Sequence, residues 1–569
     1  VWKHSRILRK GRAVPAWVFV FRKWVYLAAF AGLGFLIIES GLQWRLPSPL
    51  PIVSGFVDYI VFVLFFADSY LTFRFTYPKR RYFRSNWLDL LVIVPVLMNV
   101  VSMREETGLI LIRHAVVLIK LFTRTRRFSR LLMGVRLNTA QIVLLSFIGA
   151  IMIGTVLLTF PTATTDGRGA GFVDALFTAT SATCVTGLIV QDTPTYFSTF
   201  GQVVILVLIQ LGGLGIMTFS AFIALLIGRF TLGQRKFVQE MLEEERNIFN
   251  MVFYIFKMTF IIELAGAVLL FSRFYFHFPS PGRALYVSVF HAVSAFCNAG
   301  FSLFSDSLEH FPSDPMINGV IAALIVLGGL GFVVVFELTR RARKRQKKLS
   351  PHSRLVLTTS AVLVGLGFFV IFFVEFDGAL LSLSVPGKIW ASLFQSVTTR
   401  TAGFNTVPIS AFSGISLTLM CILMFIGASP GSTGGGIKTS TFAILLLSIK
   451  SSLWGKKEVD VFKRTIPIQS VIRALAIMVL ALLLVAFVFM GLLVAEDKPY
   501  LSLLFESVSA FGTVGLSTGV TPDLTSAGKI LIILLMYLGR VGPLTLALAL
   551  TRKSIKGKIE YPEARVLIG

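Results

Sequence analysis

Cysteine is nearly absent: the 569 residues hold only Cys184, Cys297 and Cys421, and none stands at metal-ligand spacing. That excludes a disulfide framework and a zinc site. Histidine is almost as scarce. The six histidines (His4, His114, His277, His291, His310 and His352) are scattered, and no paired carboxylates share an apolar face. The chain therefore lacks the acid–base and nucleophilic pairs an enzyme needs. No segment reads as a strand followed by a glycine-rich turn and a helix. The glycine clusters sit in apolar helices, so they are not phosphate loops. Charged residues make up only 14% of the chain, and acidic side chains are outnumbered, 28 against 54. The resulting net charge of +26 does not indicate nucleic acid, because the basic residues lie in loops on one side of apolar segments. Counter-charge to anionic lipid is the commoner use of such loops. No cleavable leader is expected, since Arg22 and Lys23 interrupt the first apolar stretch.

What the chain has in abundance is apolar length. Hydrophobic residues reach 55%, and the mean hydropathy is +0.80. Ile142–Phe160, Val203–Ile227, Phe253–Phe271, Ile317–Phe336, Leu357–Val374 and Ala474–Val494 approach or exceed the roughly 20 residues that cross a bilayer. Basic residues crowd the segments between them. Arg340, Arg341, Arg343, Lys344 and Arg345 form one cluster, Lys456, Lys457, Lys463 and Arg464 a second, and Arg552, Lys553, Lys556 and Lys558 a third. The positive-inside rule puts these loops in the cytoplasm, and with them both termini of a multi-pass cell-membrane protein. Loop 228–250, with Glu240, Glu243, Glu244, Glu245 and Arg246, reads as a short charged cytoplasmic helix.

One unit recurs four times. Phe177 to Gly187, Phe290 to Gly300, Phe394 to Gly403 and Phe505 to Gly515 each open on Phe, run through small and hydroxylated residues, and close on Gly. An interval of roughly 110 residues means one ancestral unit copied along the chain. Each copy lies between two apolar helices, giving repeats at about 138–228, 250–340, 354–450 and 470–551. Four such loops can surround one axis and direct backbone carbonyls at a dehydrated cation. The expected fold is all-α: a 138–569 domain of four helix–loop–helix repeats around one pore, preceded by a four-helix transmembrane domain at 1–137.

The second helix of each repeat carries a matching interruption. Leu211–Gly215 and Leu327–Gly331 read LGGLG, for which close helix packing is the default. The third, Gly427–Lys438, is dominated by Gly, Ser and Pro and cannot stay helical. Unwound backbone at that depth must line water or be buried in protein. The fourth carries Arg540, a costly charge inside an apolar helix.

Taken together, CVTGL (184–188), CNAGF (297–301), TRTAGF (399–404), GTVGL (512–516), the interrupted third-repeat helix and Arg540 resemble the Trk/Ktr/HKT superfamily of cation transporters. The similarity is strongest to the membrane subunits of its Ktr and Trk systems and covers about 138–569. It implies K⁺ as the transported ion, no cofactor in this chain and no enzymatic activity. It implies a filter of Cys184, Val185, Thr186, Gly187, Cys297, Asn298, Ala299, Gly300, Thr401, Ala402, Gly403, Gly512, Thr513, Val514 and Gly515. Gly187 in the first loop points to K⁺, since members with serine there tend to favour Na⁺. It also implies a gate of Gly427, Ser429, Gly431, Ser432, Gly434, Gly435, Gly436, Lys438 and Arg540. The expected partners are a second copy in a homodimer, a separate cytoplasmic nucleotide-binding regulatory subunit and membrane lipid, with no nucleic acid. A Na⁺ or mixed Na⁺/K⁺ transporter of the same superfamily, or a voltage-modulated cation channel, is the alternative.

Residues 1–137 depart from that pattern and resemble a voltage-sensor-like four-helix domain. Asp68 and Asp89 face a stripe of Arg113, Lys120, Arg124, Arg127 and Arg130, mostly at helical spacing. The stripe fits a sensor. It equally fits an anchoring domain whose last basic residues mark the cytoplasmic boundary. Only Arg113 and Lys120 lie clearly within the apolar stretch, which favours the anchor.

Overall fold

The computed structural model describes residues 139–214, 248–344, 348–456 and 458–543, with isolated positions 67 and 545. The 1–137 domain, its candidate sensor residues Asp68, Asp89, Arg113, Lys120, Arg124 and Arg127, the charged 228–250 loop up to residue 247 and the basic C-terminal tail lie outside the described residues.

Repeat one contributes α1 (Thr139–Leu158), α2 (Phe172–Cys184) and α3 (Thr199–Gly213). Repeat two contributes α4 (Ile248–Phe274), α5 (Pro281–Cys297), α6 (Pro315–Gly329) and α7 (Phe332–Ala342). Repeat three contributes α8 (Pro351–Val374), α9 (Val385–Thr398), α10 (Gly414–Phe425) and α11 (Thr439–Leu453). Repeat four contributes α12 (Ile468–Ala495), α13 (Tyr500–Gly512) and α14 (Ser526–Val541). The starts are written in the sequence. Ser198, Ser280, Asp314, Ser350, Ser384, Ser413 and Thr525 cap seven of these helices through their side-chain oxygens. Pro281, Pro315 and Pro351 occupy the first helical position, where no N–H is needed.

The long first helices α8 and α12 leave most of their apolar surface uncovered. In α8 and α12 only 22% and 28% of the most apolar window is buried, and Phe369, Phe373, Leu483 and Phe487 stand exposed. A soluble fold would bury such helices. The end of the first helix is stapled to the start of the second in repeats two, three and four. Glu375, at the end of α8, accepts from Ser413 N–H at 3.0 Å, from Ser413 Oγ at 2.6 Å and from Ser416 Oγ at the start of α10. Glu496, at the end of α12, does the same for Thr525, from N–H at 2.9 Å and Oγ1 at 2.6 Å. In repeat two, Arg273 meets Asp314 at 2.7 Å. Partial burial pushes the Asp314 carboxyl up, but the N–H groups of Ile317 and Met316 and the Arg273 guanidinium outweigh it and hold it below the usual carboxylate range.

The repeats close on themselves. The second helix of each packs on the short helix of the next: α3 on α5, α6 on α9, α10 on α13, and α14 back on α2. Lys529 of α14 completes the closure with Asp174 of α2 at 2.8 Å.

Two expectations are corrected. Ile317–Phe336 is not one span: α6 and α7 meet at a bend of 109°. Gly331 sits at φ 91, so the second LGGLG cluster breaks the helix as well as packing it. The loop after repeat three adds a short element of strand. Val459–Val461 and Arg464–Ile466 form an antiparallel hairpin, β1 and β2, turned by Phe462 and Lys463 at positive φ. A two-residue turn needs that backbone, but Phe-Lys lacks the Asn-Gly signature that would have announced it.

Candidate ion-pathway site

The four signature glycines meet. Gly187, Gly300, Gly403 and Gly515 all have left-handed backbone, at φ 95, 70, 82 and 91. A Cβ built on Gly187 would lie 2.5 Å from the Ala299 carbonyl oxygen, and one on Gly300 would lie 2.8 Å from that of Ala402. A Cβ on Gly403 would strike the Val514 carbonyl, and one on Gly515 the Thr186 carbonyl. Each glycine thus abuts the carbonyl that precedes the next glycine, and the fourth abuts the first. Ring order follows chain order. Glycine is required twice over, by its φ and by the neighbouring backbone.

The local sequence builds this ring. Four residues after each opening Phe stands a hydroxyl: Ser181, Ser294, Thr398 and Ser509. Their carbonyls accept from the N–H just before each glycine: Thr186 at 2.8 Å, Ala299 at 2.7 Å, Ala402 at 3.0 Å and Val514 at 2.9 Å. Their hydroxyls bond the loop a second time. Ser181 and Ser509 each accept from the glycine N–H at 3.1 Å. Ser294 and Thr398 donate to the Phe301 and Phe404 carbonyls at 2.7 and 2.6 Å. Two residues before each glycine, Val185, Asn298, Thr401 and Thr513 also take positive φ, between 51 and 70. Three of these are β-branched, for which that conformation is a genuine outlier and a stored strain. Helices α2, α5, α9 and α13 all end at the ring and present their carbonyl-rich, partially negative ends to it.

Glycines of the second helices supply close packing. Gly212, Gly328 and Gly539 lie against the carbonyls of Thr183, Phe296 and Phe511, at the ends of α2, α5 and α13. In repeat three the helix opens instead. Between α10 and α11, Ile426–Lys438 runs as irregular chain, buried except at Pro430, Gly431, Gly436 and Lys438. Its backbone is satisfied by other repeats. Ser429 and Thr433 N–H donate to Gly329 and Gly328 carbonyls at 3.0 and 3.2 Å, and the Gly431 carbonyl accepts from Phe332 N–H at 3.0 Å. Gly435 N–H donates to Thr513 Oγ1 at 2.9 Å. Gly427 abuts the Gly435 carbonyl, and Gly434 abuts the Thr401 hydroxyl, so a side chain fits at neither. Ser429 accepts from the Thr439 hydroxyl at 3.1 Å. Lys438 Nζ donates to the Gly434 carbonyl at 2.6 Å. The Ser432 hydroxyl is buried and has no hydrogen-bond partner among the described residues.

Arg540 ends inside this arrangement. It is 4% exposed, and its two terminal nitrogens donate to the Thr433 carbonyl of the loop and the Gly212 carbonyl of α3. A single guanidinium therefore joins repeats one, three and four. The fork geometry of arginine suits two carbonyls at once.

The sequence profile of the TrkH family, described as a cation transport protein, matches residues 110–560. The chain belongs to this family. It is 41% identical over 452 residues to the Ktr system potassium uptake protein B of Bacillus subtilis (strain 168), covering 78% of this chain and all of that one. It is 38% identical over 444 residues to the potassium/sodium uptake protein NtpJ of Enterococcus hirae, covering 76% and 98%. Among solved structures, the potassium transporter TrkH from Vibrio parahaemolyticus aligns with a TM-score of 0.59 at 18% identity, over 94% of this chain and 99% of that one. That likeness concerns the fold.

Within this TrkH-family fold, Gly187, Gly300, Gly403 and Gly515 meet the carbonyls of Thr186, Ala299, Ala402 and Val514 in one ring, Gly427 to Lys438 lie in one loop beside it, and Arg540 reaches that loop from α14. Sequence reasoning missed Arg400. It holds the place of Cys184, Cys297 and Gly512, and it is 8% exposed. Its signal was a charge where the other repeats carry small residues. Glu506 and His291, each directly after the opening Phe of its loop, tie the short helices to the chain leaving the ring. Glu506 accepts from Ser517 Oγ, Thr518 N–H and Thr521 Oγ1 at 2.5, 3.1 and 2.7 Å, and His291 Nε2 lies 3.0 Å from the Ser302 hydroxyl.

Proposed function

We propose that this chain takes up K⁺ across the cell membrane through a single pore whose filter is the glycine ring. The observation that carries this reading is the closed cycle in which each glycine abuts the carbonyl before the next. Such a ring offers oxygen from every loop to one dehydrated ion, while the helix ends favour positive charge. The filter comprises the residues from Cys184 to Gly187, Cys297 to Gly300, Thr401 to Gly403 and Gly512 to Gly515. The names of relatives support K⁺ as cargo. The Enterococcus relative, named for potassium and sodium, gives weight to a looser filter as the second reading.

The gate, in the same proposal, is the Gly427–Lys438 loop seated against the ring and latched by Arg540. Opening requires that it leave its seat, and a separate cytoplasmic nucleotide-binding subunit supplies the work. The pore-bearing chain pairs with a second copy, its basic loops and both termini face the cytoplasm, and residues 1–137 anchor it. Cation flux through purified protein in liposomes, with K⁺, Na⁺ and Rb⁺ in competition, tests the core of this reading. K⁺ and Rb⁺ should compete for one path and Na⁺ should compete poorly. Equal competition by Na⁺ would replace the K⁺ assignment with the mixed one, and absence of flux would remove the pore.

A further inference from the structure

The loop proposed as the gate touches the proposed filter through side chains, and those side chains belong to the strained residues that shape the ring. Thr513, at φ 51 and two residues before Gly515, accepts from Gly435 N–H at 2.9 Å. The amide of Asn298, at φ 59 and two residues before Gly300, lies 3.3 Å from the Thr433 hydroxyl and 3.2 Å from the Thr401 hydroxyl. Thr401, at φ 70 and two residues before Gly403, is in turn abutted by Gly434. Arg400, next to Thr401, donates from Nη2 to the Gly427 carbonyl at 3.3 Å, where the loop leaves α10. Three of the four filter loops therefore hold the gate loop by polar side chains. The first loop has Val185 at this position, and among the described residues its repeat reaches the gate loop through Arg540, which donates to the Gly212 carbonyl of α3.

Arg400 is the telling member. It is buried, yet its Nε and Nη1 have no hydrogen-bond partner among the described residues. A buried guanidinium with two idle donors is costly.

We infer that Arg400, Asn298 and Thr513 are positioning residues that make gate and filter one mechanical unit, so that ion selectivity changes with the position of the loop. The seated loop holds the side chains of Thr513 and Asn298, which stand two residues before their glycines. When the loop leaves, Thr513 and Asn298 lose partners, and the carbonyls that follow them are freer to turn. This rests on the filter and gate reading given above.

The test is a pair of readouts on the full chain in liposomes: basal Rb⁺ uptake and the ratio of Rb⁺ to Na⁺ uptake. Thr513→Val removes the acceptor at constant shape, and Thr513→Ser keeps it. Arg400→Gln removes the charge, and Arg400→Lys keeps it with a single donor group. Thr513→Val and Arg400→Gln should raise basal uptake and lower the selectivity ratio together, each by about fivefold to tenfold, the effect of one ordinary net hydrogen bond. Thr513→Ser should restore both readouts, and a merely structural role would not link them. Shortening the loop across Gly431–Gly436 serves as the reference. If it raises uptake with the ratio unchanged, the loop is a gate but the coupling is wrong. If it leaves uptake unchanged, the gate reading itself falls. Equal thermal unfolding of wild type and variants guards against loss of fold, and Arg400→Lys provides a second route if Arg400→Gln does not assemble.

Discussion

Arg540→Ala should open a leak in the absence of any regulatory partner. The guanidinium is buried and joins the loop carbonyl of Thr433 to the α3 carbonyl of Gly212. A hydrogen bond from a charged donor contributes roughly 1.5–3 kcal/mol, and of the two only the one to Thr433 is lost when the loop leaves its seat. The penalty for burying the charge is several kcal/mol, but it is borne with the loop seated or displaced and largely cancels in the difference. The lower figure of about 1.5 kcal/mol shifts the seated-to-displaced ratio by roughly tenfold. Removing the charge acts in the same direction on the ion itself. At about 4 Å and an effective dielectric near 20, a fixed positive charge repels a cation by roughly 4 kcal/mol before screening. Basal Rb⁺ uptake into liposomes should therefore rise by about tenfold, with salt screening reducing the share that acts on the ion. Arg540→Lys separates the two causes, because lysine keeps the charge without the fork that spans two carbonyls. A leak in the lysine variant assigns the effect to the tether, and wild-type uptake there assigns it to charge. Wild-type uptake in a well-folded Arg540→Ala protein would show that Arg540 neither latches the loop nor narrows the path.

Gly187→Ser and Gly403→Ser should each weaken preference for K⁺ over Na⁺ and lower thermal stability, since the new Cβ meets the Ala299 or Val514 carbonyl at a backbone φ of 95 or 82. Unchanged ion competition at normal expression would place selection elsewhere. A chain beginning at Leu137 should still pass K⁺, because the ring and loop draw on residues after that point. Neutralising Arg113 and Lys120 together should move the conductance–voltage curve only slightly, as two charges crossing part of the field supply about 2–4 kcal/mol at 100 mV. A steep wild-type curve that flattens in the double variant would make residues 1–137 a sensor.

The ring was legible because its requirements are local and repeated. A glycine at positive φ, a hydroxyl four residues after a phenylalanine and a short helix ending at the glycine recur at a fixed interval, so each copy vouches for the others. The third-repeat loop was legible for a different reason: no apolar helix tolerates so many Gly, Ser and Pro residues in succession. The second LGGLG cluster was harder. Gly328 packs on the Phe296 carbonyl and Gly331 turns the chain, and both tasks call for the same residue. Packing and breaking are distinguished by what lies opposite. Here that is the Gly431 carbonyl of the loop, a long-range partner that no local pattern announces.

Arg400 marks the boundary between repetition and specialisation. Cys184, Cys297 and Gly512 share its position, and small residues there let the short helix end close to a neighbouring second helix. In repeat three the second helix is unwound, which removes that crowding and leaves the Gly427 carbonyl to be held. The departure from the repeated pattern therefore occurs twice in one repeat, in the short helix and in the loop beside it, and the two departures meet at one hydrogen bond. A substitution at either alone leaves a buried partner unsatisfied, an uncompensated carbonyl in one case and an idle guanidinium in the other. Non-additivity between Arg400→Gln and a change that removes the Gly427 region of the loop is the signature expected of such a joined pair.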